Sequence, residues 1–403
     1  MKIRGARFRG LLTLTAVSSL VIMGGTVASG SVSKSSNSSS QHSKSPMSSS
    51  QPYKIALSMS YTGNDWQSEA ENLVKATAKT PPYNKKVSLR VDIAGTSVTN
   101  QIATINNEVA AGMNAIIVYP LSPTALNPAI EQACKRGVVV FAYDSLVTAP
   151  CAYNVHPNIV TLGYSGAHWL VQKMHGKGNL VIIRGVAGTS ADLEEYAGVL
   201  KAIKGTAIKV VAQPVGNWDS ATIKLAFSSV YAANPDINGV WGTTGCVQVR
   251  DIVAAATHPI YCSGGVTEGE MMLMAPKSVG GQGVTTDAAV PAPPYDGELA
   301  FLLAVQVLEG QKVLHDTILP TPAFTSSQVK FGTNPAKGAT VYPTSVVPTG
   351  FFGDFWNPVV EEGLYAALKG TPNKISSPKP CSAVPGCSQQ AKMTINKEYP
   401  GGN

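Results

Sequence analysis

The sequence predicts an α/β protein: two doubly wound parallel-sheet lobes joined by a multi-strand hinge, with a C-terminal extension. Three observations carry that expectation. From Tyr53 onward, short β-rich apolar runs alternate with segments of helical period, the pattern of parallel strands linked by crossover helices. After Pro157 a second series repeats the plan of the first. The strongly apolar helical stretch 295–308 comes after that second series although its natural home is the first lobe. The chain therefore crosses between the lobes more than once, which makes a hinge.

Residues 1–30 place Lys2, Arg4, Arg7 and Arg9 ahead of the apolar run 11–23 and the small residues Ala28, Ser29 and Gly30. That is the layout of a secretory signal peptide, and the run is shorter than the ~20 residues a spanning helix needs. Residues 31–51 are Ser-rich and polar, too poor in apolar surface to fold, and are expected to form a flexible tether.

In the first series, 54–58 reads as a strand and 66–79 as a helix with Leu73, Val74 and Ala78 at helical spacing. A second strand is expected at 88–93 and a helix at 100–111, with Ile102, Ile105 and Val109 on one face. Segments 115–119, 126–135 and 138–143 repeat strand, helix, strand, and their continuous apolar runs suit strands covered on both faces. In the second series, helices at 165–175, 192–203, 220–233 and 247–256 alternate with strands at 180–183, 208–213, 240–241 and 260–262. From about Pro320 the chain is rich in Pro, Gly, Thr and aromatics, with one helix at 359–369. The expected organisation is a signal peptide (1–30), a linker (31–51), a first lobe (52–155 plus about 285–320), a second lobe (156–284), and a hinge return with C-terminal extension (321–403).

The net charge of +7 is concentrated outside the folded part. Six basic residues (Lys2, Arg4, Arg7, Arg9, Lys34 and Lys44) and no acidic one precede residue 51, so 7 − 6 leaves the remainder near +1. This argues against a nucleic-acid surface. Six cysteines, Cys134, Cys151, Cys246, Cys262, Cys381 and Cys387, on an exported chain suggest disulfides. Spacing alone does not fix their connectivity; sequential pairing closes the shortest loops and is the expected one. There is no Cys-x-x-Cys, and the histidines show no ligand spacing, so no metal site is expected.

The segment 185–198 has the look of a strand end, a tight glycine turn and a helix start, which in an open α/β sheet lies beside the ligand crevice. Its Gly-x-x-Gly-Thr-Ser spacing is neither a dinucleotide fingerprint nor a phosphate loop, so no cofactor is expected. No Gly-x-Ser-x-Gly elbow or Ser/His/Asp arrangement falls on strand ends, which argues against an enzyme. The strand ends instead carry aromatic and hydrogen-bonding side chains: Ser60, Tyr61, Asn64, Asp65 and Trp66; Tyr143 and Asp144; Trp218 and Asp219; Thr243 and Thr244. Such a mixture suits a sugar, whose C–H faces stack on aromatic planes while its hydroxyls need fixed donors and acceptors. Trp241, inside a β run, is expected in the core. Trp66 and Trp218, in polar turns, are expected at the ligand.

The run Ile-Ala-Leu-Ser-Met-Ser with Asn64 four residues after Ser60, the segment 115–120 followed by Ser122 and Ala125, Phe-Ala-Tyr-Asp ending at Asp144, Gly-Thr-Ser-Ala from Gly188, and Trp218-Asp219 together resemble the ribose/galactose class of periplasmic sugar-binding proteins. These are the type I receptors of sugar ABC importers, and the resemblance covers about 53–312. It implies two lobes closing over one small sugar-like ligand, a membrane ABC permease as partner, a monomer, no catalysis, and a location in the periplasm or on the exterior of the cell envelope. It also implies ligand contacts from Ser60, Asn64, Trp66, Asp144, Trp218 and Thr244; the strand-end residues Asp65, Tyr143 and Asp219, and Glu195 at the start of the Gly-Thr-Ser helix, complete the expected set.

Ser145 and Glu195 stand where that class commonly has arginines, and Ser263 where it commonly has an acid. The arginine losses argue against ribose, and the glutamate suits a donor-rich ligand such as one carrying an amine. An alternative on the same fold is a receptor serving chemotaxis or a histidine kinase; a hydrolase with a two-lobed cleft is less favoured. A repressor of the related lactose-repressor type would need a helix-turn-helix where the export signal stands.

Overall fold

The computed structural model describes residues 51–325, except 80, 266–269, 271, 272, 275, 280, 281, 291, 293 and 320–323. The expected signal peptide, nearly all of the tether, the 359–369 helix, nearly all of the C-terminal extension and the Cys381/Cys387 pair lie outside the described residues.

The first sheet contains β1 (Tyr53–Met59), β2 (Val87–Ile93), β3 (Ala115–Val118), β4 (Val139–Tyr143), β5 (Tyr153–Pro157) and β11 (Asp316–Leu319). Its order is β11-β5-β4-β3-β1-β2, with every pair parallel. The second sheet contains β6 (Lys177–Ile183), β7 (Ala207–Ala212), β8 (Ile237–Gly242), β9 (Tyr261–Gly264), β10 (Asp287–Ala289) and β12 (Phe324–Thr325). Its order is β12-β10-β9-β8-β6-β7, parallel except where β12 runs antiparallel to β10. Each sheet reverses its winding beside the first strand of its series, and the crevice at such a switch point is where open α/β sheets take ligands.

Helices α1 (Asp65–Lys79), α2 (Tyr83–Lys86), α3 (Val98–Ala110) and α4 (Asn127–Lys135) belong to the first series; α5 (Ile159–Lys173), α6 (Ser190–Ile203), α7 (Ser220–Ala233) and the short α8 (Arg250–Ala254) belong to the second. The apolar helix α9 (Asp296–Leu308) returns to the first sheet: its Leu299, Phe301, Leu302 and Leu303 share a core with Ile55, Leu57, Met59 and Phe141. The chain thus passes between the sheets after Pro157, between Ala289 and Asp296, and between Leu319 and Phe324. β3 is buried at all four positions, as its unbroken apolar sequence requires. Trp241 is fully buried in the second core.

Two segments differ from the sequence expectation for identifiable reasons. The helix expected at 165–175 begins at Ile159, because the Asn158 side chain accepts the Thr161 N–H at 3.0 Å and caps it; the β-branched run Ile159-Val160-Thr161 disguises that start. The stretch 247–256 is broken into a 3₁₀ turn, Val247–Val249, and the single-turn α8.

The disulfides Cys134–Cys151 and Cys246–Cys262 follow the sequential pairing, with Cα separations of 6.3 and 5.9 Å. Cys246 and Cys262 are fully buried, whereas the first bridge joins α4 to the loop before β5. Closing a loop of sequence separation 17 restricts the unfolded chain by about 3 kcal/mol. The double variant Cys134→Ser/Cys151→Ser is therefore expected to lose about that much stability in guanidinium unfolding, and an unchanged midpoint would show that the bridge contributes nothing.

Candidate functional site: the cleft between the two sheets

Strand ends of both sheets face one cleft of about 510 Å³ of empty space, its open mouth included. The first lobe supplies Asn64, Trp66 and Gln67 from the start of α1, Tyr119 from the end of β3 and Asp144 from the end of β4. The second supplies Ala191 and Glu195 from α6, Trp218 ahead of α7, Thr243 and Thr244 after β8, and Gly265 after β9. Ile159 and Ala292, on two of the crossings, complete the wall.

Three aromatic rings set its shape. Tyr119 meets Trp66 edge-on at 6.0 Å and Trp218 edge-on at 6.3 Å between centroids, so one tyrosine spaces the two indoles. Trp66 Nε1 donates to the Ala292 carbonyl at 2.8 Å, which ties α1 to a crossing. Trp218 Nε1 donates to Thr243 Oγ1 at 2.7 Å, and that hydroxyl donates to Glu195 Oε2 at 2.5 Å. Trp218 also reaches the other lobe: its carbonyl accepts from Asn64 Nδ2 at 3.3 Å and its ring packs on the first lobe's core. Leu146 N–H donating to Ser190 Oγ at 2.5 Å is a second bond between the lobes.

The backbone is strained at both walls. Asn217 and Trp218 have φ of 53° and 55°, and Asp144 has φ of 59°, in the left-handed region that costs a non-glycine residue roughly 1–2 kcal/mol. Gly185 explains part of this arrangement: a Cβ there would overlap the Trp218 indole. The glycine turn that stands out in the sequence thus makes room for an aromatic ring.

The electrostatics are acidic and buried. Burial raises the Asp144 carboxyl to about 6, against the pull of a Tyr119 hydrogen bond and of His156. Burial likewise pushes Glu195 far up, opposed by the Thr243 hydrogen bond. Behind the cleft, Glu194 has both carboxylate oxygens buried without a hydrogen-bond partner, and burial raises it to about 7. It faces His156, whose two ring nitrogens meet only acceptors, the Pro157 carbonyl at 2.8 Å and Asp316 Oδ1 at 3.2 Å. Burial works against the charged imidazole, but the Asp316 hydrogen bond and charge, with the Glu194 charge and the Pro157 carbonyl, together leave His156 raised. Among the described residues there is no cluster of three or more His, Cys, Asp or Glu able to hold a metal ion, and no helix long and apolar enough to cross a membrane.

With this geometry in view, comparison with known proteins is decisive at the level of family. The periplasmic binding protein domain family matches residues 55–312. The chain belongs to that family. Among curated relatives, the xylitol-binding protein of Mycolicibacterium smegmatis is 27% identical over 245 residues, 59% of this chain and 68% of that protein. The galactofuranose-binding protein of Escherichia coli is 23% identical over 46% of this chain and 59% of that protein. Among solved structures, an ABC transporter solute-binding protein from Thermobispora bispora superposes with a TM-score of 0.62 at 24% identity, covering 82% of this chain and 99% of that one. The two parallel sheets are the fold these binding proteins share.

Of the residues singled out in the sequence, Asn64, Trp66, Asp144, Glu195, Trp218 and Thr244 come together in the cleft. Ser60, Tyr143 and Asp219 do not line it. Ser60 is buried at the end of β1 with its hydroxyl unpartnered. Tyr143 is the last residue of β4, and the strand's alternation sends its ring into the core against Gly297 of α9 while the next residue turns toward the cleft. Asp219 caps α7, accepting from Thr222 N at 2.7 Å and Thr222 Oγ1 at 2.6 Å, and those hydrogen bonds lower its carboxyl. The Asp65 side chain lies outside the described residues. Thr243, named among the strand-end side chains, lines the cleft; Tyr119, Gln67 and Gly265 carry no such expectation, and Tyr119 follows β3 directly, so applying the strand-end rule to every strand finds it.

The raised acids and His156 all bind more protons in the folded protein than in the unfolded chain near neutral pH, so their sign is shared. Glu194, ordinarily near 4.5, carries no penalty below that pH and a growing one as the pH rises to about 7; Asp144 does the same between 3.8 and about 6. Thermal unfolding is expected to show a lower melting temperature at pH 8 than at pH 5. Glu194→Gln should raise it at pH 8 and change it little at pH 5; equal effects at both pH values would contradict the assignment.

Proposed function

We propose that this chain is the exported receptor of an ABC importer, holding one sugar or polyol between its lobes and passing it, unaltered, to a membrane permease. The single observation that carries the reading is the cleft itself. Two indoles held apart by Tyr119 offer apolar faces of the kind that stack on sugar C–H surfaces. Asn64, Asp144, Glu195 and Thr244 offer polar groups around them. The relatives, a xylitol-binding and a galactofuranose-binding protein, support the same ligand class.

Closure supplies the mechanism. A ligand touching both walls stabilises the closed arrangement over the open one, and its differential affinity for the two sets how far the population shifts. Trp218 is the piece best placed to couple the two events, since its ring faces the cleft while its carbonyl binds Asn64 of the other lobe. The protein acts as a monomer outside the cytoplasm, in the periplasm or on the envelope exterior, and it does not turn its ligand over.

Native mass spectrometry of the purified protein, followed by titration calorimetry with sugars and polyols, tests the proposal; hydrolysis of any glycoside would contradict it. Trp218→Ala removes an aromatic ring worth a few kcal/mol of apolar burial, at about 25 cal/mol per Å². Affinity is expected to fall at least 30-fold. Unchanged affinity with lowered stability would assign Trp218 to packing alone.

A further inference from the structure

The cleft is uneven in its hydrogen-bonding groups. Its indole donors are spent within the protein, Trp66 Nε1 on Ala292 and Trp218 Nε1 on Thr243, and one Asn64 amide hydrogen is spent on the Trp218 carbonyl. The Thr243 hydroxyl hydrogen goes to Glu195 Oε2. The acceptors are not used up. Gln67 Oε1 is buried in a residue 2% exposed and has no partner, and the Thr243 hydrogen bond to Glu195 falls on Oε2, with Oε1 the other carboxylate oxygen of a side chain lining the cleft. Asp144 adds a second carboxyl, while among the described residues no lysine, arginine or histidine lines the cleft. Arg184, the guanidinium near Glu195, is taken by Asp192 through two bonds of 2.9 and 2.5 Å.

A wall whose described residues offer a buried unpartnered acceptor, two carboxyls and no cation calls for a ligand rich in donors and positive in charge. Resting on the reading of the cleft as a sugar site, we propose that the ligand carries a protonated amine: it is an aminodeoxy sugar or an amino-polyol whose ammonium sits on Glu195, with hydroxyl groups donating to Gln67 and Asp144. An ammonium has three donors and no acceptor, and its hydrogen bonds to a carboxylate are charge-assisted. It also resolves the cost of burying Glu195, since a cation beside a desolvated carboxyl restores the ionised form that burial disfavours. A neutral sugar leaves that charge problem in place. Oxidised or phosphorylated sugars, bringing a negative charge to the same wall, are excluded by it.

The test is titration calorimetry of the intact protein with matched sets: glucose, glucosamine and N-acetylglucosamine; the galactose equivalents; and xylitol with 1-amino-1-deoxyxylitol. The expected result is that in at least one set the amine binds ten-fold or more tightly than its hydroxyl partner, and that N-acetylation abolishes the gain in the hexosamine sets. Glu195→Gln, checked for a cooperative thermal transition, should bring the preference for the amine below two-fold. The N-acetyl comparison needs no variant and stands even if Glu195→Gln does not fold. Neutral members binding as tightly as amines or more so would overturn the inference and leave the sugar site standing. A preference that survives in Glu195→Gln would overturn the role of that residue. No binding by any member would overturn both the sugar reading and this one.

Discussion

The placement of one side chain, Trp218, governs how the cleft is built. It sits in a left-handed backbone conformation that an indole residue avoids when free, and several features hold it there: the Thr243 hydroxyl on its Nε1, the Asn64 amide on its carbonyl and the missing Cβ of Gly185 beneath its ring. Each comes from a different element. The local strain is offset only because α1 of one lobe and the β6–α6 and β8 turns of the other are all in place. Where Trp218 stands, Tyr119 is fixed as the spacer between two indoles. The site is therefore a property of both sheets together rather than of either alone.

The same arrangement holds buried carboxyl groups that neither sheet pairs fully. Glu195 has one hydrogen bond, from Thr243, and Glu194 has none. Glu195, which lines the cleft, trades hydration for the Thr243 hydroxyl, and Glu194 behind it trades hydration for the nearby charge of His156. Three crossings of the chain join the sheets, and each lies at a strand end and leaves the ladders intact. Acid burial costs stability near neutral pH, a cost that the groups placed around those carboxyls must offset.

The fold was largely legible in the sequence, and the reason is physical. A strand covered on both faces must be apolar throughout, which makes β1, β3 and β4 visible, and α7 is found over the same residues, Ser220–Ala233, that its periodicity marks. β5 and β11 pair near the edge of the first sheet and carry Asn154, His156, Pro157 and Asp316, so no apolar run announces them. The site was legible as a neighbourhood. Strand ends bring Asn64, Trp66, Asp144 and Trp218 together, but the list of side chains near a strand end does not say which way each one points. Tyr143 and Asp144 are adjacent and face opposite ways; Asp219 serves its own helix. Gln67 and Gly265 became visible only when helix and strand directions were known.

The distance between the lobes with and without ligand is the most direct measure of the account. Spin labels at the exposed positions Gln132 on α4 and Ser229 on α7, introduced as Gln132→Cys and Ser229→Cys, report it by pulsed electron resonance. Adding the sugar or polyol found in the binding screen should shorten and narrow the distance distribution, and Trp218→Ala should weaken that response. A distribution unchanged by a ligand that calorimetry shows to be bound would contradict closure over the cleft.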